Sequence, residues 1–430
     1  MYTFFKRIFF NKTIKNFSVY GFGQAVNIVS PLLITPYLVA VCGLDKLGII
    51  AIGQSIAYIL IVVVDYSSYI IGVKDISINR NNKSELEKTY TIIFSSKLFL
   101  LFFVLFFVGL IICFIPYFNK EKMAFIFSTS IIIGQFLNPT WFFQGIENFK
   151  WITIINVLSK IIYVLGIFFF IKTESDFIYA NLWLGLGLIL SNTIGLIWIA
   201  NKFKFKFTAI SFSDIKNYIV SDFSFCVSQL FLATRNYSSI LIVGFIGGDY
   251  LAGQFKIVEQ VINLFRTYLQ MFFKFSLSYV FFEMNKSFKA GFELWKKFNV
   301  SNFIILLFFV SIAFIFSEKI LLFLKVNRNE LNELNLYLRI ALIIPLLIGI
   351  TLPLEQLLFS LEKKKVYIKI TIFITVLNIL ALLIAMNYFK LYGVLITLIS
   401  VEILLVIIYL KTLNLFSNNI VNKHKIIENK

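Results

Sequence analysis

The sequence LAGQFKIVEQVINLFRTYLQMFFKFSLSYVFF, residues 251–282, sets the interpretation of the whole chain. It is apolar enough to cross a membrane, yet it carries Lys256, Glu259, Asn263, Arg266, Gln270 and Lys274. At about 100° per residue these six side chains fall within about 80° of one another on a helix. A charge at the bilayer centre costs roughly 2.5–3.5 kcal/mol. The stripe is therefore expected to face a hydrated cavity or a partner helix.

The composition extends this membrane interpretation to the full length. Of the 430 residues, 59% are hydrophobic and 14% are charged, with a mean hydropathy of +0.87. A soluble globular domain would be about a quarter charged. Apolar stretches long enough to span about 30 Å of hydrocarbon recur throughout the chain. We predict twelve transmembrane helices, at residues 16–40, 47–71, 92–115, 123–143, 152–171, 177–200, 217–246, 251–282, 298–317, 336–359, 367–387 and 392–410.

The net charge of +18 follows the membrane topology. If the N-terminus is cytoplasmic, the inner segments hold 25 Lys and Arg residues, counting Lys369 at the inner end of the eleventh span, and the outer segments hold 8. This positive-inside bias places both termini in the cytoplasm and makes a nucleic-acid surface an unnecessary explanation of the charge. Twelve spans with a basic connection near 201–216 suggest two six-helix lobes around a central cavity, residues 1–208 and 209–430.

Residue types that serve metal sites and catalysis are scarce in the predicted spans. The three cysteines, Cys42, Cys113 and Cys226, show no CxxC spacing, and the single histidine, His424, lies in the polar C-terminal tail. No P-loop motif is present. We therefore predict no catalytic residue, no metal site and no organic cofactor.

Polar faces also occur on the first, second, fifth and seventh predicted spans. They include Gln24 and Asn27 on the first, Tyr58 and Asp65 on the second, Lys160 on the fifth, and Gln229 and Asn236 on the seventh. Basic side chains outnumber acidic ones at mid-depth, and guanidinium groups pair well with phosphate oxygens. We therefore predict a cavity for an anionic head group, with pyrophosphate as the natural ligand. The candidate binding residues are Arg266, Arg235, Lys160, Lys256, Lys274, Asn263, Gln270, Asn27 and Gln24. Lys97, at the cytoplasmic start of the third span, is expected to snorkel to the interface.

Acidic side chains within the spans suggest coupling to an ion. Asp65 and Glu259 share faces with other polar groups and are the candidates for coupling to H⁺ or Na⁺. Two alternatives stay open. Glu259, Asp222 and Arg266 could form interhelical ion pairs that hold the lobes together, and the acids could be neutral.

Three segments resemble the O-antigen flippases of the multidrug/oligosaccharidyl-lipid/polysaccharide exporter superfamily. One is the first hairpin, from Asn27 through Pro31, Thr35 and Pro36 to Gly48. Another is the run NPTWFFQGIENFK at 138–150, and the third is GQFKIVE at 253–259. The chain departs from the family's pattern at 40–42, where the family often has an arginine, and at 278–280, where a proline is common.

This resemblance implies a flippase that moves undecaprenyl-diphosphate-linked oligosaccharide from the cytoplasmic to the periplasmic leaflet of the bacterial inner membrane by ion-coupled alternating access. It also implies membrane lipids, a polysaccharide polymerase and chain-length proteins as partners. A drug/cation antiporter of the same architecture is the nearest alternative, although a cationic cavity disfavours cationic cargo. A membrane glycan polymerase or glycosyltransferase is a further alternative, but such enzymes usually need a large outer loop or an acidic metal motif.

The mid-depth arginines generate the first testable prediction. Arg235→Ala and Arg266→Ala should each abolish transport while the protein still inserts into the membrane. The measurement is the amount of surface glycan beside the amount of inserted protein. Normal glycan in both single variants would contradict a cationic site at these residues.

Overall fold

A computed structural model describes the backbone of residues 12–66, 68–205, 210–361 and 364–428. Side chains are described within these ranges except at 12–22, 24, 25, 28, 414–428 and several positions in 275–288 and 359–364. Every regular element in this part of the chain is helical. The all-α membrane fold predicted from composition is thereby confirmed.

The long helices match the predicted apolar stretches. Their bounds are α1 Lys12–Asp65, α2 Val73–Asn79, α3 Lys83–Phe114, α4 Lys122–Phe136, α5 Thr140–Gly145, α6 Phe149–Phe170, α7 Tyr179–Phe203, α8 Phe212–Gly247, α9 Asp249–Lys286, α10 Phe288–Ile315, α11 Ser317–Phe323, α12 Arg328–Ala341, α13 Ile343–Ser360 and α14 Lys364–Glu428. A π-helix at Ser68–Gly72 and short 3₁₀ helices at Pro116–Asn119 and Glu174–Ile178 complete the connections.

Two of the longest helices are interrupted at positions that lie between two predicted spans. In α1 the backbone leaves the helical region at Gly43, with φ 77° and ψ 177°, a conformation that glycine adopts without steric cost. In α14 the interruption is at Lys390, with φ 49°. Nine helical segments of the described chain are long and apolar enough to cross a membrane, and α9, which contains the predicted eighth span, is not one of them. The count of twelve and the cytoplasmic termini stay predictions.

By its internal contacts the chain divides into two compact units, Met1–Gly253 and Gln254–Lys430. In the first unit, α7 packs against α4 and α6, while α1 packs against α4, α6 and α8. In the second unit, α13 packs against α10 and α14, and the short helices α11 and α12 pack together. A division by contacts need not coincide with a division into equivalent lobes, so the predicted lobes, 1–208 and 209–430, stay a prediction.

Two glycines allow the segment after the Gly43 interruption to approach the turn between α8 and α9. A β-carbon on Gly48 would overlap the carbonyl oxygen of Asp249, and one on Gly253 would overlap that of Leu44. Both obstacles are backbone atoms, which cannot rotate away. The close contact between these two segments therefore requires glycine at both positions.

Substitution at this contact should destabilise the first unit. Gly253→Ala is expected to lower the free energy of unfolding by about 1–3 kcal/mol, the usual cost of overpacking. Gly109→Ala is the matched control, because a β-carbon at Gly109 on α3 meets no atom within 4 Å. The measurement is thermal unfolding of the purified variants in detergent. Equal stability of the two variants would contradict the contact.

Candidate functional site

A cavity of about 400 Å³ lies within the first unit, among α1, α4, α6, α7 and α8. This volume is in the range of roughly 300–1,000 Å³ that is typical of small-molecule sites. Its lining consists of Tyr58, Ile61, Val62, Gln135, Lys160, Leu184, Leu188, Gln229, Leu232, Ala233, Asn236 and Tyr237. The cavity therefore combines an apolar wall with amide and phenol groups and one basic side chain.

Lys160 is the basic group of this cavity and lies near the middle of α6. None of the described residues that line the cavity is acidic. Among the described residues, no carboxylate lies within ion-pairing distance of the Lys160 ammonium group. The Lys160 ammonium group lies over the ring of Tyr163, and its Nζ atom is 6.0 Å from the ring centroid. The cavity thus has a net positive charge.

Aromatic and amide groups complete the polar part of the lining. The rings of Tyr58 on α1 and Tyr237 on α8 are 5.2 Å apart between centroids and tilted by 35°. Gln135, Gln229 and Asn236 add amide groups, each of which both donates and accepts hydrogen bonds. This combination suits a ligand that has hydroxyl groups and a negative charge.

Asp65, a predicted coupling residue, is held by an ion pair that the sequence did not reveal. Lys97 Nζ lies 2.9 Å from Asp65 Oδ1, and Gln135 Nε2 donates to Asp65 Oδ2 at 2.9 Å. Only 1% of the Lys97 side chain is exposed, so the expectation that it snorkels to the interface is wrong. Snorkelling would leave the Asp65 carboxylate without a cation, and the pair avoids that cost.

The segment at 138–150 supports this pair from one side. Asn138 Nδ2 donates to Gln135 Oε1 at 3.2 Å, and Asn138 Oδ1 accepts from the Thr140 backbone amide at 2.9 Å. The amide of Gln135 is therefore oriented with its nitrogen toward Asp65. Trp141, together with Phe142 and Phe143, is buried in an aromatic core. The NPTWFF part of the segment is thus a positioning element.

The predicted stripe on α9 is organised by pairs within the helix. Lys256 Nζ lies 3.1 Å from Glu259 Oε2, and Arg266 donates to Asn263 Oδ1 at 3.1 Å. Both pairs are three residues apart, which places their members on one face. Gln270 and Lys274 are exposed. The described partners of Glu259 and Arg266 therefore lie on their own helix, in contrast to the interhelical ion pairs considered above.

The remaining candidates are less informative. Arg235 and Asn27 are half-buried, and neither lines the cavity. Gln24 lies outside the described side chains. The structure therefore brings Lys160 together with polar residues of the second and seventh predicted spans. Gln135 was missed, and the signal that could have indicated it was its position three residues before the Asn138 segment.

Comparisons with known proteins identify relatives of this chain. Residues 13–285 match the family described as "Polysaccharide biosynthesis protein". A protein of Escherichia coli K12, named provisionally as an O-antigen transporter, is 24% identical over 56% of this chain and 58% of its own length. A protein of Shigella dysenteriae with the same provisional name is 24% identical over 92% of this chain and 99% of its own length.

Solved structures share the fold at low sequence identity. A lipid II flippase in an inward closed conformation has a TM-score of 0.72 at 14% identity, covering 93% of this chain and 87% of that one. An inward-facing multidrug transporter of the MATE family, in the MOP superfamily, has a TM-score of 0.68 at 13% identity, covering 93% and 96%. These likenesses show a common multi-pass membrane fold.

The buried pair of Asp65 and Lys97 generates a stability prediction. Lys97→Met should cost up to about 3–5 kcal/mol of unfolding free energy, because it leaves the Asp65 carboxylate, which is 15% exposed, without its cation. The double variant Asp65→Asn with Lys97→Met removes both charges and should regain most of this loss. Thermal unfolding in detergent compares the two. A double variant as unstable as the single one would refute the pair.

Proposed function

This chain belongs to the polysaccharide biosynthesis protein family, and we propose that it is a flippase for undecaprenyl-diphosphate-linked oligosaccharide. In this proposal it moves the head group from the cytoplasmic to the periplasmic leaflet of a bacterial inner membrane. The polyprenyl tail stays in lipid while the head group passes through the protein. The provisional naming of two relatives as O-antigen transporters supports this cargo class.

The observation that carries the proposal is the uncompensated charge of Lys160. An isolated ammonium group in the membrane is costly, and most such groups have an acidic partner. Asp65 meets this requirement with Lys97, and Glu259 meets it with Lys256. Lys160 instead faces a cavity whose described lining has no acid. The negative charge that completes it is then supplied by the cargo.

The other lining groups suit the saccharide part of such a cargo. Hydroxyl groups of a sugar exchange hydrogen bonds with amides such as Gln229 and Asn236. The C–H faces of a sugar ring pack against aromatic rings, which Tyr58 and Tyr237 provide. The cavity therefore has partners for both the charge and the sugar of a lipid-linked oligosaccharide.

The same charge argues against the alternative of a drug/cation antiporter. The fold is shared with a multidrug transporter as well as with a lipid II flippase, so the fold does not separate the two functions. A cationic drug beside Lys160 would be repelled, because no described lining acid offsets the ammonium group. The electrostatics favour anionic cargo.

Alternating access driven by an H⁺ or Na⁺ gradient is the transport mode that we propose. A polysaccharide polymerase and chain-length proteins are the proposed partners that use the delivered oligosaccharide. Binding of the diphosphate by Arg266 and Arg235 stays a prediction from the sequence, which rests on the ability of a guanidinium group to bind phosphate oxygens in a bidentate manner.

Substitution of Lys160 tests this function. Lys160→Gln should weaken head-group binding at least about tenfold, because a hydrogen bond to a charged group contributes about 1.5–3 kcal/mol. The measurement, in cells that lack the native gene copy, is surface glycan together with the leaflet in which lipid-linked oligosaccharide accumulates. We expect less glycan and accumulation in the cytoplasmic leaflet.

Lys172→Gln is the matched control, because Lys172 is exposed just beyond the C-terminal end of the same helix, α6. It should leave glycan unchanged at equal protein level. Lys160→Arg, which keeps the charge, should restore part of the activity. Wild-type glycan in Lys160→Gln cells would refute an anion site in this cavity.

A further inference from the structure

A second buried acid in the first unit lacks the cation that Asp65 has. Asp222 lies on α8, its side chain is 9% exposed, and its Oδ2 is buried with no hydrogen-bond partner. The described ion pairs do not include it. Native proteins rarely leave a buried polar atom unpaired, so an orphaned carboxylate oxygen needs an explanation.

Two neighbouring side chains act in opposite ways on the negative charge of Asp222. The Ser221 hydroxyl favours the charge by a hydrogen bond, whereas the carboxylate of Asp75 on α2 opposes it by repulsion. Burial raises the pKa of Asp75, which lies outside the membrane-spanning segments, and Lys74 lowers it. Asp65, the nearby acid at the end of α1, is already matched by Lys97. The described ion pairs therefore give Asp222 no cation, and Lys74 acts on Asp75 instead.

Two tyrosines next to Asp222 join the end of α1 to α8. Tyr66 Oη donates to the backbone oxygen of Ile219 at 2.6 Å, and Tyr218 Oη donates to the backbone oxygen of Tyr66 at 3.3 Å. Tyr66 has a φ of 39°, a left-handed conformation that is strained for a residue with a side chain. Such strain persists only where the surroundings fix it. We call this reciprocal pair the tyrosine clamp.

Three titratable groups interact directly with Asp222: Tyr66 at the end of α1, Asp75 on α2 and Tyr218 on α8. A second set of groups acts on these three or on one another: Asp65 on α1, Tyr69 in the π-helix, Lys74 on α2, Lys97 on α3 and Cys226 on α8. Both clamp hydroxyls already donate to backbone oxygens, and Lys97 is committed to Asp65.

We propose that Asp222 is a proton-binding site, occupied by a proton in this conformation and placed against the tyrosine clamp. A proton satisfies a lone carboxylate oxygen, whereas a metal ion needs several oxygen ligands at once. The described residues contain no group of three acidic, cysteine or histidine side chains that could hold a metal ion. A proton is therefore the ligand that this site fits.

The site gives the transport cycle a place for a coupling proton. Loss of the proton would create a negative charge beside Asp75, and the two carboxylates would then repel each other next to the tyrosine clamp. This use in coupling rests on the proposed flippase function, whereas the presence of the bound proton does not.

Infrared difference spectroscopy of the purified protein tests the site without any cargo. A protonated carboxylic acid has a C=O stretching band that an ionised one lacks. Near neutral pH the wild-type protein should show such a band, and Asp222→Asn should remove it. Asp65→Asn and Glu259→Gln are the controls and should leave the band, because those acids are ion-paired. Persistence of the band in Asp222→Asn, or its loss in Asp65→Asn, would overturn the proposal.

Two further variants sharpen the assignment. Asp222→Glu should keep a protonated band at a shifted frequency, which covers the case in which Asp222→Asn does not fold. Asp75→Asn should move the loss of the band to lower pH, because a repelling charge is gone.

Loss of the band on addition of Na⁺ at constant pH would mean that the site binds a metal ion in place of the proton, and it would overturn the proposal. Failure of the wild-type protein to flip lipid-linked oligosaccharide would refute the proposed function but not this site.

Discussion

A charge buried in a membrane protein must find an opposite charge, a hydrogen-bonding partner or a proton, and three residues of the first unit differ in how they meet this requirement. Asp65 is matched by Lys97 and Gln135. Lys160 lines a cavity without a described acid. Asp222 has an orphaned oxygen. The difference between these three residues lies in what surrounds them, and it distinguishes a structural ion pair from the proposed anion site and the proposed proton site.

The packing of the unit serves this arrangement. Gln135 both lines the cavity and holds Asp65, so the structural pair and the proposed binding site share one side chain. Asn138 orients that glutamine, and the aromatic residues that follow anchor the segment in a buried core. The segment that resembles the flippase family most specifically thus does not line the cavity itself. It orients Gln135, which contacts Asp65 and also lines the cavity.

Sequence patterns predicted much of the fold and part of the site. Hydropathy located the helices, and the 3.6-residue period placed Lys160, Tyr58 and Asn236 on polar faces that do share a cavity. The partner of each charge was beyond such reasoning. Periodicity gives the face of a side chain but not its depth or its neighbour on another helix, which is why Lys97 was expected to snorkel and Gln135 was missed. The tyrosine clamp depends on a strained φ at Tyr66, which no local pattern signals.

Whether an anionic head group lies against Lys160 can be measured by amine acylation of the protein in lipid nanodiscs, followed by mass spectrometry. Undecaprenyl-diphosphate-linked oligosaccharide should slow the modification of Lys160 and leave that of exposed Lys120 unchanged. Free undecaprenol, which has the tail without the charge, should protect neither lysine. Equal modification of Lys160 with and without the charged lipid would contradict an anion site in this cavity.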